Sequence, residues 1–64
     1  MKRGVVKFFN ASQKFGFITS DEDKQDYYVH IKDLPGPVKP GDRVCFELAS
    51  SKRGFKAVKV VMEM

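Results

Sequence analysis

Apolar and polar residues alternate in short runs along this chain, and no stretch repeats at helical spacing. The clearest run is residues 43–49. Val44, Phe46 and Leu48 fall on one side there, and Arg43, Cys45 and Glu47 on the other. A period of two predicts a half-buried strand. Residues 2–10 are rich in β-branched and aromatic types and predict another, with Val6 in the core and Lys2, Arg3 and Lys7 along a cationic edge. Gly4 inside that run points to a bulge or bend. Phe8 and Phe9 are adjacent, so alternation sends one to the core and the other to the surface. Residues 14–19 and 27–31 predict two more strands. Residues 55–61 predict a fifth, with Val58 and Val60 inward.

The segments between these runs carry turn chemistry. Residues 10–13 form a polar turn. Residues 20–26 (SDEDKQD) hold four acids and one lysine, and predict a solvated connection set away from any anion-binding surface. Residues 32–34 have room for one helical turn. All three prolines fall in residues 35–42, which must be loop, with Pro40-Gly41 turning the chain into the fourth strand. Residues 50–54 are a turn with adjacent cations at Lys52 and Arg53. Five short strands with turn signals between them predict an all-β fold, a small five-stranded antiparallel barrel built as a single domain over residues 1–64.

Two strands share an aromatic pattern. In Phe15-Gly16-Phe17-Ile18 the two phenylalanines lie on one face. In Tyr27-Tyr28-Val29-His30, Tyr28 and His30 share a face. If the strands pair with these faces aligned, four π-systems make one platform. The pattern alone leaves two arrangements open for Phe15 and Phe17. Their size favours the core, whereas Val6, Ile18, Val29, Val44, Phe46, Leu48, Val58 and Val60 already supply a core without them.

Composition narrows the function. Sixty-four residues leave little volume for both a core and an enclosed catalytic pocket, so function belongs on the surface. The net charge of +4 favours a polyanionic partner without identifying one. One cysteine, Cys45, rules out an internal disulfide, and one cysteine with one histidine falls short of a structural zinc site. No cofactor or metal is expected. No run has the length of a membrane span or of a signal-peptide core, and a cytoplasmic protein is expected. His30 has no Ser, Cys or acid constellation near it in sequence, so stacking or hydrogen bonding suits it better than general-base work.

Taken together, Val6-Lys7-Phe8-Phe9-Asn10, Phe15-Gly16-Phe17-Ile18, Tyr28-Val29-His30 and the late Arg53-Gly54 turn resemble the cold-shock domain over nearly the whole chain. That resemblance implies a barrel of the oligonucleotide-binding (OB) type whose two ribonucleoprotein motifs bind single-stranded RNA and DNA. It assigns Phe15 and Phe17 to the first motif and Tyr28 and His30 to the second, all facing the nucleic acid, with Phe8 beside them. Several positions depart from the family pattern. Phe8 stands where tryptophan is usual, Gln13-Lys14 where Lys-Gly is usual, and Ile31 where another aromatic is usual. Phe55 and Lys56 replace proline and glutamine. The connection between strands three and four is about four residues shorter than usual. A lysine at position 14 strains the backbone if its φ is positive.

The expected activity is that of an RNA chaperone, a monomer that holds unpaired strands and hydrolyses nothing. Bases would stack on Phe8, Phe15, Phe17, Tyr28 and His30, with Phe55 adding a site from the other side. Lys7, Lys14, Lys56 and Arg53, with Lys2, would meet phosphates. Two other classes compete with this reading. One is a small-barrel interaction module with an aromatic groove for an extended peptide. The other is a nuclease, which would need metal-holding carboxylates or an acid–base pair near the platform, and the sequence offers neither.

Overall fold

The structure is a computed structural model that describes residues 1–52 and 54–63. Five strands form: β1 (Lys2–Asn10), β2 (Phe15–Ser20), β3 (Asp26–His30), β4 (Arg43–Ser51) and β5 (Gly54–Met62). They close into a barrel in the order β1-β2-β3-β5-β4, with β4 returning to β1. The joints are antiparallel except that of β3 with β5, which is parallel and has Tyr28 opposite Lys56. A single 3-10 turn, Ile31–Asp33, follows β3, one residue earlier than the turn expected at 32–34. Among the described residues, no helix is long and apolar enough to cross a membrane.

The core holds Val6, Ile18, Val29, Val38, Val44, Phe46, Ala57 and Val60. Phe46, Ile18 and Val44 expose no surface. Burying side chains of this size stabilises the fold by about 1.5–3 kcal/mol each. Phe9, Tyr27, Leu34 and Leu48 pack against this cluster from its margins. Val38 lies in the proline-rich connection, so that loop contributes to the core while carrying no regular structure. Its far end is tied to β1, because Gly41 N–H donates to the Val6 carbonyl at 2.8 Å and Val6 N–H donates to that of Asp42 at 2.9 Å.

Two bulges explain where simple alternation fails. In the pairing of β1 with β2, Val6 lies opposite Ile18 and Phe8 opposite Phe17, so Lys7 is an extra residue. Strict alternation would carry Phe8 inward after Val6. The added residue sends Lys7 and Phe8 outward together and returns Phe9 to the core side. In the pairing of β4 with β5, Cys45 lies opposite Val61 and Glu47 opposite Val58, which leaves an extra residue in β5, where Lys59 has φ +51°. Ala57 and Val60 therefore face the core, three positions apart, and Val58 is only half-buried. The expectation that Val58 and Val60 both point inward is corrected by that bulge.

Gly4 carries no bulge, since its register with both neighbours is unbroken. Its role is close approach. A Cβ there would lie 2.5 Å from the Thr19 carbonyl oxygen and 3.1 Å from the Phe46 ring. Gly16 is tighter still, because a Cβ would press into the Phe8 carbonyl oxygen. The turn between β1 and β2 is held by Gln13 N–H donating to Asn10 Oδ1 at 3.1 Å, and it places Lys14 at φ +62°. The strain anticipated for a lysine at this position is therefore present.

These two backbone facts have opposite consequences for stability. Gly16→Ala should destabilise the protein by about 1–3 kcal/mol, because the obstruction is main chain and cannot swing aside. Lys14→Gly should stabilise it by about 1 kcal/mol by relieving the left-handed conformation. Urea unfolding of both variants reads the two signs directly.

Candidate nucleic-acid interface

The aromatic face is assembled by cross-strand pairing. Phe8 on β1 lies opposite Phe17 on β2, which lies opposite Tyr28 on β3. In the next row Asn10, Phe15 and His30 align in the same way. Gly16 and Ile18, the alternate residues of β2, are buried. Phe15 and Phe17 therefore belong to the outer face and are half-exposed, while Phe8 is 42% and Tyr28 37% exposed. Of the two arrangements open from the pattern, the outward pair is the one that forms.

Four rings touch. Phe8 and Phe15 have centroids 6.1 Å apart, and Phe15 and Tyr28 lie 5.7 Å apart with planes only 17° from parallel. The Phe17 ring stands nearly edge-on to both, at 88° to Phe15 and 79° to Tyr28. Edge-to-face geometry suits the ring quadrupoles, so the cluster is faceted and not the flat table that alternation suggests. His30 is not one of the touching rings among the described residues. It is half-buried beside Phe15, and its Nδ1 accepts the Lys32 N–H at 3.1 Å. In the neutral ring that leaves the proton on Nε2, which can donate.

The cations divide into paired and unpaired groups. Lys7 Nζ donates to Asp26 Oδ2 at 2.7 Å, and Thr19 Oγ1 donates to Oδ1 of the same carboxylate at 2.7 Å. Those two hydrogen bonds, Lys7 first, hold the Asp26 carboxyl below the usual carboxylate range. Lys14 and Lys52 are exposed, Lys56 is half-buried, and none of the three has an ion pair among the described residues. Arg53 lies outside the described residues. Lys2 is drawn to Glu22 at 2.8 Å, on the rim that carries Asp21.

A groove of ≈ 620 Å³ adjoins the rings, lined by Phe17, Asp26, Tyr28, Ser51, Lys52, Phe55 and Lys56. Phe55 is 62% exposed and makes no ring contact among the described residues. The parallel bridge of Tyr28 with Lys56 brings the two banks together. The expectation that residues 20–26 lie away from the binding surface is corrected at Asp26. Asp21, Glu22 and Asp23 are engaged by Arg43, Lys2 and Tyr27, but Asp26 lies in the groove. Its parity with Tyr28, two positions on, carried that signal. Ser51 and Lys52 were also missed as lining residues. They sit at a hairpin end whose place beside β3 depends on the crossing of the barrel.

Comparison with known proteins shows the family. A family model described as the 'Cold-shock' DNA-binding domain matches residues 2–63. Cold shock protein 1 of Lactiplantibacillus plantarum is 42% identical over 65 residues, covering 95% of this chain and 97% of its own length. The cold shock protein of Arthrobacter globiformis is 39% identical, covering 97% of this chain and 98% of its own. Cold shock domain-containing protein C2 of Rattus norvegicus is 37% identical over 94% of this chain, which spans 42% of that longer protein.

The clasp on Asp26 has a pH signature. A carboxyl whose folded pKa is depressed adds stability above its unfolded value, near 4, and loses it as pH falls through the folded value. Asp23, held down by the Tyr27 hydroxyl, acts in the same direction. Stability measured by urea unfolding should therefore decline as pH falls below ~4, and Asp26→Asn and Asp23→Asn should each make that decline shallower.

Proposed function

The chain belongs to the cold-shock domain family, a family of nucleic-acid-binding proteins, and from that premise we propose that it binds single-stranded RNA or DNA by stacking unpaired bases on its outward aromatic cluster. The observation that carries this reading is the contact of Phe8, Phe15, Phe17 and Tyr28 on one outer face, with Lys52 and Lys56, which have no ion pair among the described residues, in the groove beside it. Rings left half in water gain from being covered, and a base offers a flat face of matching size. In a duplex those faces are already stacked on each other, so an unpaired strand is the better ligand.

Each residue then has a role. Phe8, Phe15, Phe17 and Tyr28 supply stacking surface, and Phe55 extends it toward β5. His30 presents Nε2–H at the edge of the cluster, beside Phe15, where a base or phosphate oxygen would accept from it. Lys14 and Lys56 meet phosphates, with Arg53 assigned the same role from sequence. Lys7 meets phosphate only in competition with Asp26, because the same ammonium already serves that carboxylate. Phosphate contacts position the strand without reading its sequence, so base preference is modest. Binding that favours the open strand opposes hairpins with no bond made or broken, which is chaperone activity. We assign this to a cytoplasmic monomer whose single domain spans residues 1–64.

Fluorescence anisotropy of a labelled pyrimidine strand, titrated at low and moderate salt with the matched duplex as control, tests the proposal. The chain has no tryptophan, so the label belongs on the ligand. Affinity should drop with salt by ~0.7 log units per log unit for each phosphate neutralised. Phe15→Ala should weaken binding by ~1–3 kcal/mol while the variant still melts cooperatively. Salt-insensitive capture of a proline-rich peptide, with no strand bound, would point to an interaction module instead.

A further inference from the structure

The groove beside the cluster has aromatic side chains on both banks. Phe17 and Tyr28 line it from β2 and β3, and Phe55 lines it from the start of β5. Phe55 makes no ring contact with either among the described residues, and the three line one groove of ≈ 620 Å³. Building on the single-strand reading above, we propose that this space is a cleft that takes one unpaired base edgewise, covering both faces, between Phe55 and the Phe17–Tyr28 pair.

Three observations support this occupant. First, Phe55 is the most exposed aromatic residue described, at 62%, on a chain whose other outward rings lean on one another. A base inserted against it removes apolar surface from water on two sides at once. Second, the cations that line the cleft, Lys52 and Lys56, have no ion pair among the described residues and are free to meet the phosphates on either side of that base. Third, the one acid in the lining, Asp26, is already neutralised by Lys7 at 2.7 Å, so the groove is cationic in balance. A basic peptide would find no free carboxylate there. The volume of ≈ 620 Å³ lies within the range of small-ligand sites, so an inserted base has room.

The cleft differs from the open cluster in a way that binding can read. A base lying on an open ring has one covered face and is readily replaced by its neighbour. A base held on two faces fixes the register of the strand. The loss of one particular base should then hurt far more than the loss of any other.

The experiment uses the shortest oligothymidylate that retains full affinity, with one abasic position moved along it. Wild type, Phe55→Ala and Phe15→Ala are titrated with each oligonucleotide, and thermal melts confirm that the variants fold. Wild type should show one position whose abasic form binds roughly 5- to 100-fold more weakly. Phe55→Ala should weaken the intact strand by a similar factor and abolish the penalty at that position. Phe15→Ala should weaken the intact strand yet keep that penalty. If Phe55→Ala binds like wild type while Phe15→Ala is impaired, the cleft is wrong and the open cluster stands. If wild type binds no strand at all, the single-strand reading falls and the cleft with it.

Discussion

Between Val6 and Phe8, β1 carries one residue more than β2, and the outer surface takes its composition from that mismatch. The bulge lets a strand that must bury Val6 and Phe9 present Lys7 and Phe8 side by side to solvent. It works only because β2 can approach closely. Gly16 leaves room for the Phe8 carbonyl, and the approach brings the Phe8 and Phe15 rings into contact. Packing and the proposed function therefore meet at one joint. The residues that let β1 and β2 fit together are also the ones that set the rings on the outside.

Much of this was legible in the sequence, and the exceptions have physical causes. The strands on β2, β3 and β4 follow a strict period of two, so Ile18, Val29, Val44 and Phe46 could be placed in the core from their parity alone. Val58 could not, because Lys59 adopts a left-handed conformation and shifts the phase of β5. Pattern left Phe15 and Phe17 undecided, since a phenylalanine pair suits either face. The arrangement is settled by Gly16, whose missing side chain fits only against a neighbouring backbone. Asp26 was misjudged by treating residues 20–26 as one acidic loop. Its carboxylate begins a strand, and strand parity puts it beside Tyr28. The Ser51 and Lys52 lining had no local signal, because it arises from the crossing that sets β5 beside β3.

Net charge is a poor guide to what a ligand meets here. The chain carries +4 overall, yet Lys2, Lys7, Arg43 and Lys59 each lie within 4.0 Å of a carboxylate. Such pairs at the surface weaken with salt, and their cations are less available than a count suggests. Among the described residues near the rings, Lys14, Lys52 and Lys56 carry no ion pair. Their placement, rather than the total, sets the local field.

The joint of β3 with β5 is the narrowest in the barrel. Among the described residues it has one register pair, Tyr28 with Lys56, whereas β1 and β2 share six and β4 and β5 share seven. A closed barrel opens first where its ladder is shortest. The two residues at that seam also line the groove, on opposite banks. Anything held between those banks is a brace across the weakest closure. Its free energy of association and the barrel's resistance to breathing are then one linked quantity, each raising the other. In a fold this small, a ligand seated between those banks would act as a removable part of the protein's own architecture.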